Sequence, residues 1–172
     1  MLPYNRIDLR SNEDIQHTFN HFQDGGLCKC AREILLMDER PFEHEFFLRI
    51  AQSFPLMEKL KVVNETPQKN KLCSQSKHDN QDLSIIKYPH LNDLIPYEVH
   101  DDYIEQFLVD AKMCLLNHVN LSIEYEPLKR VTHNFTRNAT RSNCAKLNSL
   151  YLNGKHRARK VLKTYFPHAE IL

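Results

Sequence analysis

The sequence predicts a single α/β repeat array, a curved solenoid with parallel strands on one side and helices outside, and three observations predict it. First, short apolar alternations recur, each followed by a helical pattern: Ile7 with Leu9, Ile34 with Leu36, Leu60 with Val62, Leu94, Val119 with Leu121 and Ile123, Leu150 with Leu152, and Ile171. Second, an aromatic–proline pair precedes a strand three times, as Phe54-Pro55, Tyr88-Pro89 and Phe166-Pro167. Proline ends the helix, the aromatic packs under the turn, and the chain enters the sheet. Third, the chain has only three glycines, too few for a sandwich or barrel full of tight turns.

Taking Ile7, Ile34, Leu60, Leu94, Leu121, Leu150 and Ile171 as markers, the spacings are about 27, 26, 34, 27, 29 and 21 residues. Most lie in or near the roughly 20–29 residues of a leucine-rich repeat. The long interval contains a polar stretch, residues 65–82, that reads as an inserted loop within one array spanning residues 1–172. Ser11 caps a first helix carrying Ile15, Phe19 and Phe22, which Gly25-Gly26 stops. Phe46, Phe47, Ile50, Ala51 and Phe54 form the apolar stripe of a second, ended by Pro55. Asp101 and Asp102 suit the N-terminus of a third, which buries Ile104, Phe107, Leu108 and Ala111. Pro127 opens a short helix with Leu128, Val131 and Phe135, and a basic helix runs through Lys160, Val161, Leu162 and Tyr165. At Pro96 a proline stands where a strand residue is expected, which demotes that strand to a short or edge piece. The alternative is a doubly wound α/β sheet, which strand–helix alternation alone permits.

Composition excludes several functions. Net charge is +1, so no strong field attracts nucleic acid or an acidic membrane. No GxGxxG or GxxxxGK[ST] loop is present, and no apolar run approaches the ~20 residues of a membrane span. The start, MLPYNRIDLR, lacks an apolar signal region. The expected location is therefore intracellular, cytoplasmic or nuclear, with the five cysteines reduced and several buried. The sequons at Asn64, Asn120, Asn134 and Asn138 read as chance in an Asn-rich chain.

No constellation of a known chemistry stands out. Cys28 and Cys30 lack CxxC spacing, and Cys73 with His78 is their only neighbouring candidate, so no metal or cofactor is expected. His44 lacks the second histidine of HExxH. His100, Asp101 and Asp102 read as a helix start, and no Ser or Cys sits in a nucleophile elbow. The basic residues Lys155, His156, Arg157, Arg159, Lys160 and Lys163 read as a solvated helix face.

The segments ERPFEHEFFLRIAQSFPLMEKLKV, DLSIIKYPHLNDL, HDDYIEQFL, LKRVTHNFTRNATRSNCAKLNSLYL and KTYFPHAEIL together resemble the leucine-rich-repeat region of divergent, lineage-expanded eukaryotic F-box-like proteins. They cover most of the chain from Glu39 on. Met57, Leu60, Val62 and Asn64 match LxxLxLxxN loosely. The resemblance implies a substrate-recognition role in an F-box-type (SCF) ubiquitin ligase. No F-box helix bundle is legible here, so a ligase adaptor would be reached only through an F-box outside this chain.

The residues themselves predict a protein-binding array and no enzyme. Strand alternation puts Arg6, Asp8, Glu33, Leu35, Lys61, Val63, Ile95, Tyr97, Ser122, Glu124, Tyr151 and Asn153 on the concave face. Tyr97 and Tyr151 are the expected anchors. Three other readings compete: a free-standing interaction module with no ligase link, a decayed copy with an uncapped first strand, and a small α/β enzyme. The enzyme requires a pocket at the carboxyl ends of the strands with convergent polar groups.

Overall fold

The structure, a computed structural model, describes residues 6–10, 30–69, 84–116, 118–154 and 159–172. Among them seven strands form one parallel sheet: β1 (Arg6–Leu9), β2 (Glu33–Met37), β3 (Lys59–Asn64), β4 (Asp93–Val99), β5 (Val119–Glu124), β6 (Leu147–Asn153) and β7 (Glu170–Ile171). The described helices are α1 (His44–Ser53), α2 (Asp101–Leu108), α3 (Tyr125–Val131), α4 (Arg141–Cys144) and α5 (Arg159–Tyr165), with a 3₁₀ turn at Asn138–Thr140. Spatial order equals chain order. A doubly wound sheet reverses its order at a switch point, and these seven strands contain no reversal. The proposed helix from Ser11, the cysteines Cys28 and Cys73, most of the 65–82 loop and the basic residues 155–158 lie outside the described residues.

The seven spacing markers form one row of the sheet. Ile7 pairs with Ile34, Ile34 with Leu60, Leu60 with Leu94, Leu94 with Leu121, Leu121 with Leu150, and Leu150 with Ile171. Alternation then separates two faces. Ile34, Leu36, Leu60, Val62, Leu94, Leu121, Ile123 and Leu150 are buried, while their neighbours Lys61, Val63, Ile95, Tyr97, Ser122 and Tyr151 are half-buried or exposed. Right-handed crossovers that always advance the same way place their connections on one face. The helices accordingly feed a single core through Phe47, Ile50, Tyr103, Phe107, Leu128 and Leu162. Phe47 and Phe107 meet edge to face at 5.3 Å, as aromatic quadrupoles prefer.

The aromatic–proline motif builds the same turn three times. The carbonyls of Phe54, Tyr88 and Phe166 accept from the N–H of Met57, Leu91 and Ala169, three residues on, at 3.1, 3.3 and 3.2 Å. Proline is suited to the second position of such a turn because its φ is already set. All three aromatics are buried, as are Met57, Leu91 and Ala169. Successive layers are then joined ahead of the strands: the Arg32 carbonyl accepts from Glu58 and Lys59, that of Glu58 from Asn92 and Asp93, and that of Asn92 from Asn120.

Four expectations need correction. β4 is neither short nor at an edge: it has seven residues and lies between β3 and β5. Pro96 acts instead on its pairing, which reaches β5 only through Asp93 and Leu94 and is irregular toward β3 between Val62 and Asn64, because proline offers no N–H to a ladder. Ala111 is exposed and lies beyond α2, which ends at Leu108. The short helix starts at Tyr125, two residues before Pro127. Cys30 is exposed; among the described cysteines only Cys144 is fully buried.

Buried polar side chains pin the outer layer. Asn143 Nδ2 donates to the Met113 carbonyl at 2.7 Å and the Leu108 carbonyl at 3.2 Å, and its Oδ1 accepts from the Leu115 N–H at 3.0 Å. Tyr103 Oη donates to the Thr66 carbonyl at 2.9 Å and accepts from the Phe42 N–H at 3.1 Å. Burial pushes the Tyr103 phenol up to about 12, against the Phe42 N–H, and pushes the Cys144 thiol up to about 12, against Thr140 and Arg141.

Asn143→Ala is expected to destabilise the fold by about 2–4 kcal/mol, because it strands buried backbone groups without partners. Urea unfolding reads this directly, and an unchanged midpoint would contradict it. Raised acid pKa values mean that the unfolded chain releases these protons first, so stability declines as pH rises. The decline is expected to begin near the ordinary thiol value of 9.0 and to run toward about 12. Cys144→Ala should remove its earliest part; stability that stays flat through this window in both proteins would refute the assignment.

Candidate functional site

The face of the sheet opposite the described helices collects the outward residues of its strands. Arg6 stands beside Glu33, Asp8 beside Leu35, Leu35 beside Lys61, and Lys61 beside Ile95. Further along, Ser122 pairs with Tyr151 and Glu124 with Asn153. Val63 pairs with Met37, an exposed residue that the alternation in EILLM also assigns to this face. The predicted residues thus share one surface but differ in availability. Tyr97 and Tyr151 are 41% and 44% exposed, whereas Leu35 is only 8% exposed. Leu35 lies in register between Asp8 and Lys61, and a long lysine stem covers apolar neighbours.

Local chemistry fixes several of these groups. Arg6 donates to Asp8 at 2.7 Å. Lys61 Nζ sits 4.7 Å from the centre of the Tyr97 ring, a cation–π geometry. The Glu98 carboxylate holds the Tyr97 phenol's pKa above the ordinary value, with Glu124 adding to the effect. Asn120 donates to Asp93 at 3.0 Å and Asn148 to Asn120 at 3.1 Å, a side-chain ladder along the amino end of the face. The register slips by one residue in β6 beside Val119 and Asn120, and the Asn148 amide restores that link.

At the carboxyl ends of β2–β4 the face runs into a groove of about 700 Å³ lined by Met37, Val63, Glu39, Arg40, Glu65 and Glu98 among others. A smaller one of about 210 Å³ adjoins it, sharing Glu65 and Glu98 and reaching Glu124. Much of the polar lining is engaged in holding its own loops. Asn64 Nδ2 donates to the Arg40 carbonyl at 2.7 Å while Oδ1 accepts from the Thr66 N–H, and Thr66 Oγ1 donates to the Glu39 carbonyl at 2.6 Å. Asn64 is 1% exposed, so the sequon there lies inside the fold.

The other constellations serve structural roles. His100 caps α2, its Nδ1 accepting from the Asp102 N–H at 3.2 Å, and Asp101 receives both arms of Arg130 at 2.8 Å. His44 is buried at the start of α1, within bonding distance of Gln106 and the Ser84 carbonyl. Among the described residues, no three His, Cys, Asp or Glu side chains come together as a metal-holding group, and no helix is long and apolar enough to cross a membrane. Compared with known proteins, the chain matches no family model, no curated protein sequence and no solved structure.

Glu98 has φ of 47°, in the left-handed region, where the strand irregularity after Pro96 turns its side chain toward the groove edge. A β-branched residue is strained there. Glu98→Val is expected to lower stability by about 1–2 kcal/mol and Glu98→Gly to preserve it. Thermal melting of the pair tests this; equal losses would show that the side chain, not the backbone, sets the cost.

Proposed function

We propose that this chain is a protein-binding, leucine-rich-repeat-like solenoid that presents the open face of its sheet to a partner, and that it serves as the substrate-recognition part of an F-box-type ubiquitin ligase inside the cell. The observation that carries the binding reading is the asymmetry of the sheet: among the described residues, helices cover one side, and the other exposes Met37, Tyr97 and Tyr151. Monomeric surfaces seldom display large apolar and aromatic side chains on one regular face without use. An enzyme reading has the groove in its favour, but its Asn64 and Thr66 side chains are bonded within their own loops. The ligase link is carried by the resemblance of FPLMEKLKV, YPHLNDL and their companion segments, with the F-box placed outside this chain.

Proximity labelling with the full-length gene product, read by mass spectrometry, tests both parts. Recovery of the ligase adaptor and cullin is expected. A Tyr97→Ala/Tyr151→Ala variant should keep them and lose the remaining partners by about tenfold or more, as for hot-spot tyrosines. Absence of adaptor and cullin, in a full-length product shown to lack an F-box, would remove the ligase role and leave a free-standing binding array. Partners unaffected by the tyrosine variant would remove the open face as the binding surface.

A further inference from the structure

Four carboxylates mark four successive strand ends. Glu39 follows β2 by two residues, Glu65 follows β3 directly, Glu98 lies in the last part of β4, and Glu124 closes β5. Glu39, Glu65 and Glu98 line one groove, and Glu65, Glu98 and Glu124 the adjoining one, so the four border a continuous trough. Strands lie about 4.8 Å apart, which spreads these charges over roughly 15 Å.

The guanidinium groups in the trough have carboxylates outside the four. Arg10 lies 3.9 Å from Asp8, which Arg6 also engages at 2.7 Å, Arg40 lies 3.6 Å from Asp38, and Arg130 is held by Asp101 at 2.8 Å. Among the described residues no lysine or arginine stands within ion-pair distance of Glu39, Glu65, Glu98 or Glu124. Among the described residues the trough is therefore negative, while the chain as a whole is nearly neutral at +1. Its carboxylates do not converge as a metal-holding group, so a single ion is the wrong shape for them. A nucleic acid brings phosphates and is repelled. The complement is a cation spread along a chain.

The floor beside the trough is apolar. Met37 and Val63 line the groove itself and pair across β2 and β3. Ile95 and Tyr97, the latter with the Lys61 ammonium 4.7 Å from the centre of its ring, continue this surface onto β4. Tyr97 belongs to both parts: its ring borders the apolar strip and its phenol meets Glu98.

We propose that the open face recognises a partner segment in which an apolar or aromatic anchor is joined to lysine or arginine, the anchor resting on Met37, Ile95 and Tyr97 and the cations lying in the trough of Glu39, Glu65 and Glu98. This rests on the protein-binding reading above and adds the class of partner. The anchor supplies affinity by leaving water, and the charges set orientation and rate of encounter.

A displayed library of random linear peptides, selected on the whole chain, tests it. Lysine and arginine next to an apolar residue are expected to be enriched several-fold among the selected peptides. The best peptide, remade and labelled, should bind about 3- to 10-fold more weakly to a Glu65→Gln/Glu98→Gln variant with unchanged melting temperature, and more weakly as salt is raised. Selection on Glu65→Lys/Glu98→Lys should shift the enrichment toward aspartate and glutamate. Peptides that are lost on Tyr151→Ala or Ile95→Asp but show no basic preference would overturn the charge assignment and leave the binding face standing. Recovery of no peptide, or of peptides indifferent to all these variants, would overturn the assignment together with the reading on which it rests.

Discussion

Every strand must place one apolar side chain at the same height on the same side of the sheet. Ile34, Leu60, Leu94, Leu121 and Leu150 meet this demand with 0–2% of their surface exposed. Burying such a side chain gives about 1.5–3 kcal/mol, while ordering each backbone residue costs about 1–2 kcal/mol. A strand of two to seven residues therefore cannot hold itself in place. It is held by the matching row of its neighbours and by the helix stripe packed into the same core, where Phe47 and Phe107 meet edge to face.

That row explains why the connections look alike. An aromatic, a proline and an i to i+3 turn deliver the chain to the sheet at a fixed height, and the carbonyls of Arg32, Glu58 and Asn92 fasten each layer to the next. Regularity at the amino ends leaves variation to the carboxyl ends. There Pro96 breaks the ladder, Glu98 takes up a left-handed conformation, and the loops after β2 and β3 fold back on Asn64 and Thr66. The face is thus uniform at one margin and individual at the other, which is where a recognition surface can differ without disturbing its frame.

The sheet was legible because its signal is local and repeated: two-residue alternation gives the faces, and similar spacing gives the register row. The helix stripes of α1 and α2 were legible for the same reason. Ala111 was misplaced because apolar periodicity continued past Leu108, where the backbone turns instead. Pro96 was misjudged because a local rule weighs one missing N–H, whereas the structure keeps the strand central and gives up pairs toward β5. The carboxylate trough had no sequence signal. Glu39, Glu65, Glu98 and Glu124 are separated by about 26 to 33 residues, and only parallel stacking brings them to one margin.

The pairing of β4 with β5 is short in register. Only Asp93 and Leu94 join β4 to β5 in register, against five or six register pairs on either side of that boundary. Between β2 and β6 the register pairs are fewest here, and the helices above add to the join: α2 packs on α3, and Arg130 grips Asp101 across them with both arms. This boundary is therefore a seam of two materials, backbone ladder below and the side chains of α2 and α3 above.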